Sequence, residues 1–347
     1  MSNSRIFAPM NSADARALNT LLSTPKKIAI VPHKNPDGDA IGAGLALYHY
    51  LVMKGHNPVV ISPNDYPEFL KWMPGTEAVM NFEKQEEEAT AFLKTAAVVF
   101  TIDFNDLSRV GKMQEILQEL QAPFVMIDHH QSPADYARIR YSDPTMSSTC
   151  EMIFHTVEAL GGKDEITPQI ADCLYAGILT DTGSFKYAST SSLTHRVAAF
   201  LIEKGARNSE IHRLIFDTNT PGRLHLLGCA LNNMVILPEY STAYITLSQD
   251  ELDRHQFKKG DTEGFVNYGL TLAGIRLAVI FIENKDEGII KISLRSEGDF
   301  SVNEFARAYF NGGGHTNAAG GKSEQSMEDT VAYFRSLLPK HQKELNK

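Results

Sequence analysis

The stretch Ile28-Ala29-Ile30-Val31-Pro32-His33-Lys34-Asn35-Pro36-Asp37-Gly38-Asp39-Ala40-Ile41-Gly42 decides how this chain is read. Its apolar opening predicts a buried β-strand. Ile41, Leu45, Tyr48 and Val52 then recur at helical spacing, so a patterned helix follows. His33, Asp37 and Asp39 therefore fall in a turn from strand to helix, and open α/β sheets handle ligands at the carboxyl ends of their strands. One imidazole and two carboxylates within seven residues form a donor set that divalent cations favour. Pro36 stiffens the turn, and Gly38 lets backbone pass between the carboxylates without a Cβ in the way. The plainer reading is an acidic turn with Asp39 capping the helix, and later stretches decide between the two.

Outward from this stretch the pattern repeats. Pro58-Val59-Val60-Ile61-Ser62 predicts a second strand, and a short helix is expected from Tyr66 to Gly75. Acidic residues at 83–88 begin an exposed helix. Val98-Val99-Phe100-Thr101-Ile102 is a third buried strand ending at Asp103, and a helix over 109–121 follows it. Phe124-Val125-Met126-Ile127 runs into Asp128-His129-His130. Ser148-x-x-Glu151 resembles a capping box and is read as structural, opening a helix to Leu160. A helix from Pro168 to Leu179 leads into Thr180-Asp181-Thr182-Gly183, and helices at 194–204 and 208–216 follow. Strand alternating with helix in this way predicts an α/β fold with a doubly wound, mostly parallel sheet.

At the front, residues 1–24 predict a mobile start and a short helix with Ala15, Leu18, Leu21 and Leu22 on its apolar face. At the other end, a helix over 223–235 reads as a connector. Strands over 243–247, 275–281 and 289–294 then predict a second, smaller α/β domain, with helices near Leu252 and Val266. In this reading Asn311-Gly312-Gly313-Gly314-His315 is a glycine turn before a helix starting near Ala318, and a last helix spans 327–338. The domains expected are 1–218, a connector at 219–240, and 241–343, which a chain of 347 residues accommodates.

Composition narrows the function classes. With 33 basic against 42 acidic residues the formal charge is −9, which argues against a protein that tracks long nucleic acid. Cys150, Cys173 and Cys229 form no CxxC pair, so no cysteine zinc site is expected and free thiols in a reducing compartment are. No signal peptide is expected at the N-terminus. No apolar run approaches the roughly 20 residues of a membrane helix. A cytoplasmic location is the expectation.

His33, Asp37 and Asp39, then Asp103, then Asp128, His129 and His130, then Asp181 lie in separate loops, each after an apolar element. Carboxylates gathered on one sheet edge repel each other, and cations remove that repulsion. Four aspartates and two neutral histidines carry −4, which two divalent ions neutralise. Nitrogen and oxygen donors without thiolate favour Mn²⁺, Mg²⁺ or Co²⁺ over closed tetrahedral zinc, and the histidines put Mn²⁺ ahead of Mg²⁺. Two such metals ~3.5–4 Å apart activate water and stabilise the oxygens of an in-line displacement at phosphorus.

These motifs resemble those of the DHH/DHHA1 phosphoesterase family, in its short two-domain, NrnA-like oligoribonuclease/pAp phosphatase branch. His33-x-x-Pro36-Asp37-Gly38-Asp39-Ala40-Ile41-Gly42 is similar to the first motif, although Ala43 stands where a serine is usual. Asp103 with Arg109, Asp128-His129-His130 and Thr180-Asp181-Thr182-Gly183 are similar to the next three. Ser293-Leu294-Arg295-Ser296 and Gly312-Gly313-Gly314-His315-Thr316-Asn317-Ala318-Ala319-Gly320 resemble the second domain's signature. The resemblance covers most of residues 25–340. It implies an active site in the cleft between two domains. One metal would take His33, Asp37 and Asp103, and the other Asp39, Asp103, His129 and Asp181. His130 would face the scissile phosphate, with Asp128 orienting the histidines. Arg295, His315 and the amides of Gly313 and Gly314 would hold a second, non-reacting phosphate. Arg109 is more simply a surface ion-pair partner, and His195, His212 and His225 are read as structural.

The activity implied is hydrolysis of short oligonucleotides to mononucleotides and of 3′-phosphoadenosine 5′-phosphate (pAp), with nucleotide bisphosphates as partners and a homodimer compatible. An exopolyphosphatase or pyrophosphatase, and a linear or cyclic dinucleotide phosphodiesterase, stand as alternatives within the enzymes. An inactive nucleotide-binding module is the alternative outside them.

Overall fold

In a computed structural model describing residues 10–346, the chain divides into two units, one up to Thr218 and one from Asn219 onward. The opening segment expected to be mobile lies, over residues 1–9, outside the described residues.

The first unit runs α1 (Ser12–Leu21), β1 (Lys27–Pro32), α2 (Gly38–Met53), β2 (Asn57–Ser62), β3 (Met80–Asn81), α3 (Glu86–Thr95), β4 (Val98–Ile102), α4 (Met113–Glu119), β5 (Phe124–Asp128), β6 (Ile139–Ser142), α5 (Thr149–Ala159), α6 (Pro168–Asp181), α7 (Ser192–Glu203) and α8 (Asn208–Phe216). Its strands form one parallel sheet in the order β3-β2-β1-β4-β5-β6. Side chains alternate across a strand, and this splits β1 between two cores. Ile28 and Ile30 pack with residues of α2, α5 and α6, while Ala29 and Val31 pack with residues of α3 and α4. The sheet is thus covered on both faces, as a parallel sheet requires. The chain builds outward from β1 in one direction and from β4 in the other. The crevice at their carboxyl ends is the switch point where such folds place ligands.

Glycines set the depth of the helical layer. An added Cβ at Gly42 of α2 would lie 2.6 Å from the Cys173 carbonyl oxygen of α6, and one at Gly177 of α6 would lie 2.1 Å from Cys150 Sγ of α5. These three helices touch almost backbone to backbone there. Several elements differ from expectation. The 66–75 segment holds only a 3-10 turn at Glu68–Leu70 between prolines. Helix α4 starts at Met113 because Gly111, at φ 59°, separates it from a 3-10 turn at Leu107–Val110. The short edge strands β3 and β6 carry too little periodicity to be read from sequence. Helix α6 runs through Asp181, which therefore sits on its last turn and not in a loop.

The second unit runs α9 (Pro221–Asn232), β7 (Val235–Leu237), β8 (Thr242–Leu247), α10 (Gln249–Arg254), β9 (Leu277–Asn284), β10 (Ile289–Ser296), α11 (Val302–Tyr309), β11 (Gly313–His315), β12 (Ala318–Ser323) and α12 (Met327–Leu345). The sheet order is β11-β12-β10-β9-β8-β7, antiparallel except between β8 and β9. Leu277, Val279 and Phe281 face residues of α11 and α12, while Ala278 and Ile280 face Leu226 and Ala230 of α9. The segment read as a connector thus contributes α9 and β7 to this unit's own packing. The helix expected near Ala318 is strand β12. Two alanines suggested a helix, but Gly320 and Gly321 let the backbone lie between β10 and β11, and a Cβ at Gly321 would meet Phe310 Cβ at 2.8 Å.

Candidate metal centre

Asp37 caps α2, its Oδ1 accepting the Asp39 and Ala40 N–H groups at 3.0 Å each. The cap of this helix is therefore Asp37 rather than Asp39. One residue into the helix, Asp39 turns inward and is buried. Its Oδ2 accepts the Thr149 N–H at 2.6 Å and its Oδ1 the Cys150 N–H at 2.8 Å, so the carboxylate sits on the N-terminus of α5. Negative charge is stabilised at such a terminus. Asp103 follows β4 with φ 66°, a left-handed conformation uncommon for a side chain-bearing residue. Its N–H is held by the Ile127 carbonyl at 3.0 Å.

Both histidine ligands expected from the sequence are aimed by their backbone surroundings. His33 Nδ1 lies 2.9 Å from the Lys34 carbonyl oxygen, which leaves Nε2 toward the acids. That Nε2 is 3.6 Å from Asp103 Oδ2 and 4.0 Å from Asp37 Oδ2. His129 Nδ1 faces the Met146 carbonyl at 3.3 Å, and its Nε2 is 3.5 Å from Asp103 Oδ1, 3.5 Å from Asp181 Oδ2 and 3.8 Å from Asp39 Oδ2. The two oxygens of Asp103 thus divide between the two histidines. His130 turns differently, with Nδ1 2.7 Å from Asp128 Oδ1. The other oxygen of the fully buried Asp128 has no hydrogen-bond partner among the described residues.

Donor atoms of His33, Asp37 and Asp103 lie within 4.8 Å of one another, as do those of Asp39, His129 and Asp181, and those of Asp103, Asp128 and His130. The electrostatics of the protein alone are unfavourable. Burial, then the neighbouring Asp37, pushes Asp39 up to about 7. Burial and the surrounding acids raise Asp103 well above the ordinary carboxylate range. Burial lowers His33 and holds His129 down to about 4, so both rings favour the neutral form that ligates metal. Nε2-to-carboxylate distances of 3.5–4.0 Å are too long for hydrogen bonds. They suit two donors on one cation at about 2.1 Å from each. The donor set fits a pair of divalent cations.

Two residues absent from the sequence reading shape this site. Thr149 Oγ1 donates to Asp103 Oδ1 at 2.8 Å. Asn64, after β2, accepts the Asn35 N–H and donates to Asn35 Oδ1, both at 2.7 Å, pinning the turn in which Asn35 has φ 56°. Ser148 does accept the Glu151 N–H at 3.0 Å, while Glu151 is buried and accepts from Thr194 Oγ1 at 2.9 Å. The Ser-x-x-Glu signal located the helix start but carried nothing about what its amides face. His195, read as structural, stacks on Phe185 with centroids 5.3 Å apart.

In the second unit, Arg295, Ala318 and His315 are successive cross-strand partners on β10, β12 and β11. Opposed residues of an antiparallel ladder share a face, so the small Ala318 separates a guanidinium from an imidazole. Gly314 donates its N–H to Asn303 Oδ1 at 3.0 Å, which engages one of the two amides expected to meet a phosphate. Glycine is needed there for another reason. Gly314 has φ 152°, and a Cβ would lie 2.4 Å from the Ala318 carbonyl oxygen.

The family model described as "DHH family, N-terminal domain" matches residues 27–178, and that of the "DHHA1 domain" matches residues 240–340. A relative in Thermus thermophilus, the bifunctional oligoribonuclease and PAP phosphatase NrnA, is 30% identical over 89% of this chain and 88% of its own. The chain belongs to the DHH family. Asp128-His129-His130 are the three residues of that name. The cyclic-di-AMP phosphodiesterase GdpP of Geobacillus thermodenitrificans is 26% identical over 94% of this chain but only 50% of its own length. A solved structure of an exopolyphosphatase-related protein from Bacteroides fragilis superposes with a TM-score of 0.93 at 37% identity, covering 99% of this chain and 100% of that one.

Proposed function

We propose that this DHH-family chain is a divalent-metal-dependent enzyme hydrolysing short oligonucleotides to mononucleotides and removing a phosphate from pAp. Like the family's NrnA and GdpP members, it is a phosphoesterase hydrolase. The observation that carries the finer reading is the convergence of His33, Asp37, Asp39, Asp103, His129 and Asp181, with neutral imidazoles aimed at crowded carboxylates. His33, Asp37 and Asp103 would hold one cation, and Asp39, Asp103, His129 and Asp181 the other, with Mn²⁺ the expected ion. When bound, the cations supply charge to the phosphoryl oxygens and acidify water.

The remaining chemistry belongs to side chains. Asp128 fixes the His130 ring through Nδ1, and as the protonated imidazolium His130 would direct its Nε2–H at a phosphoryl oxygen as charge builds there. Arg295 and His315 form a row of a guanidinium and an imidazole suited to a second phosphate, as in pAp or a 5′-phosphorylated dinucleotide. The free thiols Cys150, Cys173 and Cys229 suit a cytoplasmic setting, and among the described residues no helix is long and apolar enough to cross a membrane. Likeness to GdpP supports a second reading, hydrolysis of linear or cyclic dinucleotides. A product time course with Mn²⁺ on pAp, pApA, a five-nucleotide RNA, cyclic di-AMP and polyphosphate tests the reading. Release of AMP from pAp and pApA is expected, and turnover confined to cyclic di-AMP or polyphosphate would overturn it.

A further inference from the structure

Thr149 is fully buried in the first turn of α5 but does not cap it, since Ser148 fills that role. Its donors reach out of the helix to two carboxylates that are distant in sequence. The backbone N–H holds Asp39 Oδ2 at 2.6 Å, and Oγ1 holds Asp103 Oδ1 at 2.8 Å. Asp103 is the residue whose oxygens divide between His33 and His129. The terminal torsion of an aspartate is soft, so its plane must be set by what surrounds it. The Thr149 hydroxyl is the donor placed to set it.

We propose that Thr149 is a positioning residue of the metal centre, its hydroxyl locking the Asp103 carboxylate in the orientation that serves both cations while its amide anchors Asp39. The proposal rests on the two-cation reading above. Partners of this kind change metal affinity by roughly ten- to hundred-fold when removed. A hydroxyl that merely satisfied a buried carboxylate would instead affect stability and leave affinity alone.

The test is titration of the full chain with Mn²⁺ alone, followed by calorimetry and by the spin-coupled electron paramagnetic resonance signal of a Mn²⁺ pair. Thr149→Val keeps the shape and removes the donor. It is expected to weaken Mn²⁺ binding by roughly ten- to hundred-fold and to diminish the coupled signal. Thr149→Ser keeps the donor and is expected to match wild type in both. Wild-type affinity in Thr149→Val, or equal weakening in Thr149→Ser, overturns the role of the hydroxyl. If circular dichroism shows the valine variant unfolded, Thr149→Ala takes its place under the same criteria. Failure of the wild-type chain to bind a Mn²⁺ pair overturns the metal-centre reading itself and this proposal with it.

Discussion

Asp103 is a residue at which several costs coincide. Its φ of 66° is unfavourable for a residue with a Cβ, and it is buried among other acids that resist its ionisation. Strain of this sort costs about 1–3 kcal/mol and persists where the surroundings over-determine it. Here the Ile127 carbonyl, Thr149 Oγ1 and the facing imidazoles do so. Asp103→Ala is therefore expected to lower occupancy at both Mn²⁺ sites, read by calorimetry and metal analysis. Normal occupancy at either site would remove the bridging assignment. His130 offers the contrast, because its Nδ1 is committed to Asp128. His130→Ala should keep both ions and lose about 10²–10³ in kcat, as expected for a donor to developing charge. Loss of metal in that variant would mean that the roles of His129 and His130 are exchanged.

Among the elements, α5 brings acids together that the sheet alone would leave apart. Its first amides hold Asp39, and its placement depends on close packing against α2 and α6 through Gly42 and Gly177. A Cβ at Gly177 would lie 2.1 Å from Cys150 Sγ and 2.9 Å from Asp39 Oδ1. Gly177→Ala should therefore destabilise by about 1–3 kcal/mol through overpacking, measured by urea unfolding, and weaken Mn²⁺ binding as well. An unchanged urea midpoint would show that α5 and α6 can separate without penalty. The periodicity of β1, β4 and β5 made these strands legible in advance. Strand β12 was not, because Ala-Ala-Gly-Gly has no apolar alternation and its partners are β10 and β11.

At the scale of the whole molecule, each unit has its own apolar cores, so each is expected to keep its fold without a cation. Chelation should abolish turnover and leave far-ultraviolet circular dichroism nearly unchanged. Saturating Mn²⁺ at a hundred times its Kd should restore about 2.7 kcal/mol per cation, about 5.4 kcal/mol for the pair, to the unfolding of the first unit alone. Collapse of the whole fold on chelation would contradict this. Arg295 belongs to the other unit, so its loss should act on substrate anchoring. Arg295→Ala is expected to cost about 2–3 kcal/mol in kcat/KM for pAp and for dinucleotides. Hydrolysis of bis-p-nitrophenyl phosphate, which lacks a second phosphate, should barely change. Equal losses on both would place Arg295 in the service of the metal centre or the fold.

The amino-acid sequence by itself determined the alternation of buried strands and patterned helices, and the positions of acids and imidazoles directly after them. Those are local properties, since a strand's period and the residue following it are written consecutively in the chain. The tertiary structure decided what each group faces. It made Asp37 rather than Asp39 the cap of α2, and put Asp181 on the last turn of a helix. It spent the Gly314 amide on Asn303 and turned the α5 amides toward Asp39. Thr149 meets Asp103 across 46 positions of sequence, a contact that exists only once α5 has packed against the sheet. The direction of a donor depends on the orientation of a whole helix, which is set by packing with distant elements and leaves no mark in the residues around the donor.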